Sequence, residues 1–394
     1  MREAIAVRAR ELGFEKTGFA RIEPIPRADF LDEWLAREFH GGMEYMARAP
    51  EARVDPSKLL PGARTVVVVA KNYYAAAAQP SDRRYGVVSR YAWGEDYHDV
   101  LGARMRELRG FIEGLGGRAK VCVDTSAVLE KLWAERAGIG WQAKHSNVIA
   151  KELSSWFFLG EILTDLELAP DRPARNHCGT CARCIDLCPT RAIVAPYVVD
   201  ARKCIAYLTI EHRGPIPREL RPLMGNLIFG CDICQDVCPW NKYARVAPEA
   251  AFQPRGGMDA PRLVELLGMT REEFARRFRG SPIRRAKRAG FLRNVCVALG
   301  NSGDRTAVPA LANALADDEP LVRMHAAWAL GRLGGREALE ARLAEEGDAE
   351  VRAEIEEALS TAPQKSVSMC GKTQDQRSKI RGGHPQTPSE GVGG

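Results

Sequence analysis

Eight of the eleven cysteines in this chain fall between Cys178 and Cys238, and their spacing carries chemistry. Cys178-x2-Cys181-x2-Cys184-x3-Cys188-Pro189 is the run that builds iron–sulfur cubanes in bacterial ferredoxins. Three thiolates on one tight loop hold one cluster, and the fourth, before proline, ligates a second. Another run, Cys231-x2-Cys234-x3-Cys238-Pro239, ends the same way but lacks one early cysteine, which Cys204 can supply. Crossover then gives one cluster to Cys178, Cys181, Cys184 and Cys238, and the other to Cys188, Cys204, Cys231 and Cys234. The accounting closes at eight sulfurs for two 4Fe–4S clusters. Zinc is the alternative, but zinc knuckles do not use the CxxCxxCxxxCP spacing. Two clusters with crossed ligands sit close together and form an electron wire. No GxGxxG follows a strand, so the acceptor is another cofactor or the substrate itself.

The elements that must position these thiols follow from periodicity. The start, MREAIAVRARELGF, reads as an amphipathic helix. Thr65 to Ala70 is a buried strand after the turn Pro61-Gly62, and Arg118 to Val123 a second strand. Asp99 to Leu115 and Val128 to Ala137 read as helices, and Leu153 to Thr164 as strand material. Residues 1–168 therefore form an α/β domain. A Pro-rich hinge opens the ferredoxin-like module, residues 169–245. In 246–360, Leu292-Arg293 is echoed by Val322-Arg323 and Val351-Arg352, and Ala298-Leu299-Gly300 by Ala329-Leu330-Gly331. That period of roughly 30 residues marks stacked helical pairs of the HEAT kind. Residues 361–394 are polar and Gly/Pro/Ser-rich, and are expected to be disordered.

Composition narrows the class. Of 394 residues, 45% are hydrophobic and 27% charged, and no apolar run approaches a membrane span. The charged N-terminus lacks a signal-peptide core, so a cytoplasmic protein with no membrane partner is expected. An odd cysteine count argues against a disulfide framework; Cys122 and Cys296 read as buried thiols, and Cys370 lies in the tail. The net charge of +6 is mild, but nine basic residues between Arg271 and Arg293 face only Glu272 and Glu273.

The second cysteine run reads in full Gly225-Asn226-Leu227-Ile228-Phe229-Gly230-Cys231-Asp232-Ile233-Cys234-Gln235-Asp236-Val237-Cys238-Pro239-Trp240-Asn241. It resembles the epoxyqueuosine reductases, cobalamin-dependent enzymes of tRNA queuosine biosynthesis. His40 to Met46, Leu59 to Ala63, Arg90 to Gly94, Asp96-Tyr97-His98, Val123-Asp124-Thr125 and Tyr207 to Glu211 are similar to the same family, in order, over residues 1 to about 360. The resemblance implies a corrinoid held base-off in the N-terminal domain. It implies two-electron reduction of the epoxide of epoxyqueuosine in the tRNA anticodon loop to the alkene of queuosine. It also implies an external low-potential electron donor, and a monomer is expected. No DxHxxG run marks a histidine-ligated cobalamin domain, so the cofactor rests on the resemblance alone.

An epoxide is a strained electrophile with a poor alkoxide leaving group, and a cluster-reduced, nucleophilic cobalt can attack it. The opened oxygen then needs a proton, which a carboxylic acid with a raised pKa supplies. Asp124 coincides with the family's donor motif and follows a strand, where α/β sheets place ligands; the bland alternative is a helix N-cap. Trp141, His145 and Val148 in a Gly-rich loop, with Arg48, Arg53, Tyr97, His98 and Asp124, are the expected cobalamin contacts. For lone His or Arg residues the alternative is core or solvated surface. Expected tRNA contacts are Arg213, Arg284, Arg285, Lys287, Arg288 and Arg293, which can meet phosphates beside the repeats. Two rival readings are a corrinoid reductive dehalogenase-like reductase and a non-catalytic ferredoxin-type carrier. The first leaves the repeats and the basic stretch without a use.

Anaerobic reconstitution is expected to load about eight irons per chain, two cubanes' worth. Cys204→Ser is expected to lower that count and disturb one cluster's spectrum, although Cys204 lies outside both runs. Full iron content with an unchanged spectrum would remove Cys204 from the ligand set.

Overall fold

Four strands carry the N-terminal part. In the computed structural model, which describes residues 1–25 and 29–361, helix α1 (Arg2–Glu11) precedes strand β1 (Lys16–Arg21) and strand β2 (Thr65–Asn72). Helix α2 (Tyr97–Gly114), strand β3 (Ala119–Cys122), helix α3 (Glu130–Arg136) and strand β4 (Phe157–Thr164) follow. The strands pair in the order β1-β2-β4-β3, antiparallel throughout. All eight residues of β2 are buried, which explains its unbroken apolar run. Side chains alternate across the sheet. Val66, Val68 and Ala70 join Trp133 and Ala134 of α3, and Val67 and Val69 meet Leu101, Met105, Leu108 and Ile112 of α2. The tail expected to be disordered lies, from residue 362, outside the described residues.

Boundaries moved where local hydrogen bonding overrode pattern. Helix α2 starts two residues early because Asp96 caps it, its side chain accepting the His98 N–H at 3.0 Å. Helix α3 begins at Glu130 rather than Val128, leaving 123–129 as a loop. Strand character starts only at Phe157, not Leu153.

The cysteine module is docked onto this sheet domain by backbone and charge. Val87–Val88 pairs parallel with Leu227–Phe229, just before the second cysteine run. Asp232, buried between Cys231 and Cys234, accepts from the Ser89 hydroxyl, from the Arg90 N–H at 2.9 Å and from its guanidinium.

The repeats form α4 (Lys287–Ser302), α5 (Val308–Ala314), α6 (Pro320–Leu333), α7 (Arg336–Glu345) and α8 (Ala349–Thr361). Leu292, Val322 and Val351, the repeated apolar positions, are fully buried. The repeated glycine is a contact point between helices. A Cβ on Gly300 would lie 2.6 Å from Trp328, and one on Gly331 2.9 Å from Ala358. Among the described residues no helix is long and apolar enough to cross a membrane.

Two basic residues expected on a nucleic-acid face are instead structural. Arg293 is fully buried and donates to the carbonyl oxygens of Leu208 at 2.5 Å, His212 at 2.9 Å and Gly214 at 2.7 Å. Arg288 pairs with Asp317 at 2.6 Å and donates to the Met269 carbonyl at 2.7 Å. The cause is the stacking of α4, which turns these side chains toward loops whose carbonyls lack other donors. Arg293→Met is expected to lower stability by ~3 kcal/mol or more, because several buried acceptors lose their donor. Arg284→Met on the exposed surface should change it by less than ~0.5 kcal/mol. Denaturant unfolding of the two variants makes the comparison, and equal midpoints would strip Arg293 of this role.

Candidate active site

The eight cysteines fall into two adjoining neighbourhoods, which meet where Cys184 acts on Cys234. Burial raises the Cys184 thiol, and the other sulfurs acting on it are Cys178, Cys238 and Cys181. Cys238 likewise sits beside Cys178 and Cys181. Burial also raises Cys204 and Cys231; the sulfur acting on Cys204 is Cys188, and those acting on Cys231 are Cys204 and Cys234. Cys204 immediately precedes the short helix Ile205–Ile210, which aims it at the second run. This is the division that crossed ligation requires, with donor sets of four thiols each.

A cavity of about 1230 Å³ touches one set only. Cys188, Cys204, Cys231 and Cys234 all line it, whereas Cys178, Cys181, Cys184 and Cys238 do not. Cys181, in the set away from the cavity, is exposed. One set thus lines the cavity, and the other has a thiol at the surface. The same cavity is lined by Tyr97, His98 and Asp124, by Arg48, Arg53 and His145, and by Arg284 and Arg285. It exceeds the ~300–1,000 Å³ of ordinary small-molecule pockets.

Asp124 sits in the loop after β3 with φ +51°, a left-handed conformation unusual for a non-glycine residue. Its N–H donates to Glu130 Oε1 at 2.5 Å, and its Oδ2 lies 3.1 Å from His98 Nε2. His98 Nδ1 is 2.8 Å from Asp96 Oδ1, so the imidazole is held between two carboxylates. Tyr97 stacks on His98 at 4.1 Å and on Phe158 at 4.4 Å, fixing the turn of α2 that carries the ring. The hydrogen bonds to Asp124 and then Asp96 push the His98 pKa up to about 9. Burial pushes Asp124 up, but the hydrogen bond and charge of His98, with help from Tyr97 and Arg285, outweigh it and leave its pKa below the usual carboxylate value. The raised pKa expected for Asp124 is thus corrected: near neutral pH it is a carboxylate, and the proton resides on His98. The cap reading fails too, because Leu129 occupies the N-cap of α3.

Among the described residues, two buried polar atoms on the cavity lack partners. His145 Nδ1 accepts the Asn147 N–H at 3.2 Å, which leaves Nε2 as the protonated nitrogen, and Nε2 has no acceptor. Burial pushes the His145 pKa down to about 4, so the ring is neutral. Arg53 donates through one terminal nitrogen to the Tyr45 carbonyl at 2.7 Å, but its Nε is unpaired. Buried groups left in this state call for a ligand or water.

Comparison with known proteins decides the family. The family model described as Epoxyqueuosine reductase QueG matches residues 53–125, that for a 4Fe-4S double cluster binding domain 177–241, and that for HEAT repeats 284–360. Epoxyqueuosine reductase of Escherichia coli (strain K12) is 44% identical over 329 residues, 82% of this chain and 86% of that protein. The Xanthomonas campestris pv. campestris enzyme is 45% identical over 334 residues, 83% of this chain and 94% of its own. The chain belongs to the epoxyqueuosine reductase family. A crystal structure of epoxyqueuosine reductase with a tRNA-Tyr epoxyqueuosine-modified stem loop superposes with a TM-score of 0.86 at 33% identity, covering 91% of this chain and 98% of that one. The Bacillus subtilis epoxyqueuosine reductase, described with its catalytic loop swung out of the active site, gives 0.84 at 32% identity, over 92% and 99%.

In this family member the cysteine module holds two 4Fe–4S clusters. Six of the residues expected to contact the cofactor, Arg48, Arg53, Tyr97, His98, Asp124 and His145, meet at the cavity. Trp141 and Val148 do not, and are corrected. Trp141 packs edge-on against His177 at 4.9 Å and Trp240 at 4.8 Å, beside Cys178 and Cys238. Val148 pairs with Gln142 in a short hairpin and is buried under the sheet. Of the basic residues, Arg284, Arg285, Lys287 and Arg213 are exposed. Arg285 is partly engaged, gripping Glu211 at 2.9 Å beneath the ring of Tyr45. Sequence reasoning missed Glu211, Lys131 and Tyr45 on the cavity, and the carboxyls of Glu130 and Glu161 behind it. Glu161 alone left a readable mark, a single charge within the apolar strand Phe157–Thr164.

Proposed function

We propose that this chain reduces the epoxide of epoxyqueuosine in tRNA to the alkene of queuosine, with the His98–Asp124 pair as the acid. The observation that carries the reading is one cavity lined both by a complete cluster-ligand set and by that pair. The reaction consumes two electrons and two protons, converts a C–O–C ring to C=C and releases water. Electrons enter from an external low-potential donor at the set containing exposed Cys181 and pass to the set on the cavity. A non-catalytic carrier has no use for such a cavity or for the acid within it.

A corrinoid suits the cavity by size and by its unpaired polar atoms, with Arg48, Arg53, Tyr97 and His145 as the holding residues. Bound there, it supplies the two-electron nucleophile that epoxide opening needs. The chain supplies the proton. Asp124 lines the cavity with its Oδ2 against His98 Nε2–H, and Asp96 holds the far side of the ring. An imidazolium with a pKa of about 9 readily protonates an opening alkoxide, and Asp124 relays or orients that proton. The anticodon stem loop is held at the cavity's edge by Arg284, Arg285, Lys287 and Arg213, through its phosphates.

Asp124→Asn is expected to cut turnover by ~10²-fold or more, with iron content and tRNA binding unchanged. Because the His98 pKa is raised in the folded protein, its proton is present below about 9 and lost as pH rises through it, so the wild-type rate falls on that alkaline limb. The Asn variant removes the largest contribution to that shift, and its limb should move to lower pH. A near-normal rate with an unmoved limb would remove Asp124 from the acid.

The tRNA contact is tested by salt. Arg284→Glu with Lys287→Glu should flatten the dependence of log K on log[salt] by about one unit per lost phosphate contact. Cluster content should not change, and an unaltered slope would leave these residues as idle surface.

A further inference from the structure

Glu161 lies in the middle of β4 and is completely buried, yet among the described residues neither carboxylate oxygen accepts a hydrogen bond from any donor. β2 opposes it with Val68 and β3 with Cys122. The side chain that meets it is a second carboxyl, Glu130 at the start of α3. Two carboxyls in contact inside a protein share a proton, since both cannot be charged there. Glu130 has another duty, because its Oε1 accepts the N–H of Asp124 at 2.5 Å. That bond secures a residue held in the left-handed region, at φ +51°.

We propose that Glu161 and Glu130 form a proton-sharing latch: Glu161 donates to Glu130, which thereby keeps an oxygen aimed at the Asp124 N–H and holds the Asp124 loop against the cavity. Loss of the shared proton sets two buried carboxylates against each other, turns Glu130 away and releases the loop. Both are positioning residues that act through Asp124, so their part in catalysis rests on the reading of Asp124 as proton donor.

The electrostatic surroundings agree with a retained proton. Burial, then Asp124, push Glu130 up to about 7, and burial, then Glu130, hold Glu161 well above the usual carboxylate value. The other titratable groups facing the pair are few. Lys131 and His98 favour the charged form of Glu130, Arg53 interacts with Glu130 from the helix at 50–54, and Tyr97 faces it from α2. Cys122 on β3 is neutral, its thiol pushed up to about 11 by burial. A folded state that binds more protons than the unfolded chain loses stability as pH rises, so the latch is closed at neutral pH and opens on the alkaline side.

The test is backbone hydrogen exchange of the 123–129 segment in the full-length, cluster-loaded protein, corrected for the intrinsic effect of pH. Glu161→Gln keeps a permanent donor to Glu130, whereas Glu161→Leu has none. At pH 7 the loop in the Leu variant is expected to exchange about tenfold faster than wild type, and the Gln variant to match wild type. At alkaline pH wild type should lose protection and the Gln variant keep it; this comparison decides alone if the Leu variant does not fold. Equal loop exchange in wild type and Gln at every pH would overturn the latch, as would faster exchange spread over the whole sheet in the Leu variant. Because the readout is exchange rather than turnover, a normal rate in Asp124→Asn would sink the acid while leaving the latch standing.

Discussion

Electrons can reach the cavity only where a cluster touches it, and that contact is assembled from three separate stretches of chain. Cys188 closes the first run, Cys204 comes from the connection, and Cys231 and Cys234 open the second run. No local motif can hold them at one wall. The fold does so by anchoring the chain between Cys231 and Cys234 to the sheet domain. Asp232 is buried, and a buried carboxylate must be hydrogen-bonded; Ser89 and Arg90 satisfy it, and the Val87–Val88 pairing with Leu227–Phe229 brings them there. Arg90 is in turn stacked over Trp156 at 4.9 Å, next to β4. The charge that seats the cysteine module thus also ties it to the sheet whose strand β3 leads into the Asp124 loop.

On the other side of the cavity the ordering of charge is different. A half-buried His flanked by two carboxylates keeps a proton at neutral pH, whereas a His enclosed in apolar surroundings loses it. His98 and His145 line one cavity and are pushed in opposite directions, to about 9 and about 4. The first is suited to giving up a proton. The second, neutral and with an unpaired Nε2–H, is suited to holding a polar group of a bound molecule.

Much of this was legible in the sequence, and the failures share one cause. The cysteine runs, the buried strand at Thr65 and the repeat of Ala-Leu-Gly could be read because they are local patterns with a fixed physical meaning. Asp124 and His98 could be placed together only through the resemblance, since the stretch that separates them, |i−j| = 26, carries no periodic signal. Arg288 and Arg293 look like their exposed neighbours Arg284 and Arg285 in sequence. Which of them turn inward depends on the rotation of α4 against loops far along the chain. Trp141 was aimed at the cavity by composition alone, and tertiary packing sent it to the other cluster's cysteines.

The buried arginines also change what the helical repeats are for. Arg293 binds carbonyls of Leu208, His212 and Gly214, at the end of the short helix whose N-cap is Cys204. Its neighbour Asn294 donates to the carbonyls of Thr209 at 2.8 Å and Ile228 at 2.9 Å, joining that helix to the strand before Cys231. One turn of α4 therefore grips two of the three stretches that carry cluster ligands to the cavity. Farther along, Asn301 donates to the carbonyls of Arg221 and Gly225, and Arg221 pairs with Glu354 of α8 at 2.8 Å in a buried site. A repeat array appended merely to bind nucleic acid would meet the redox module through a polar, separable face. Here the module's loops hang their unpaired carbonyls on the repeats, so the repeats help to build the cavity wall as well as its surroundings.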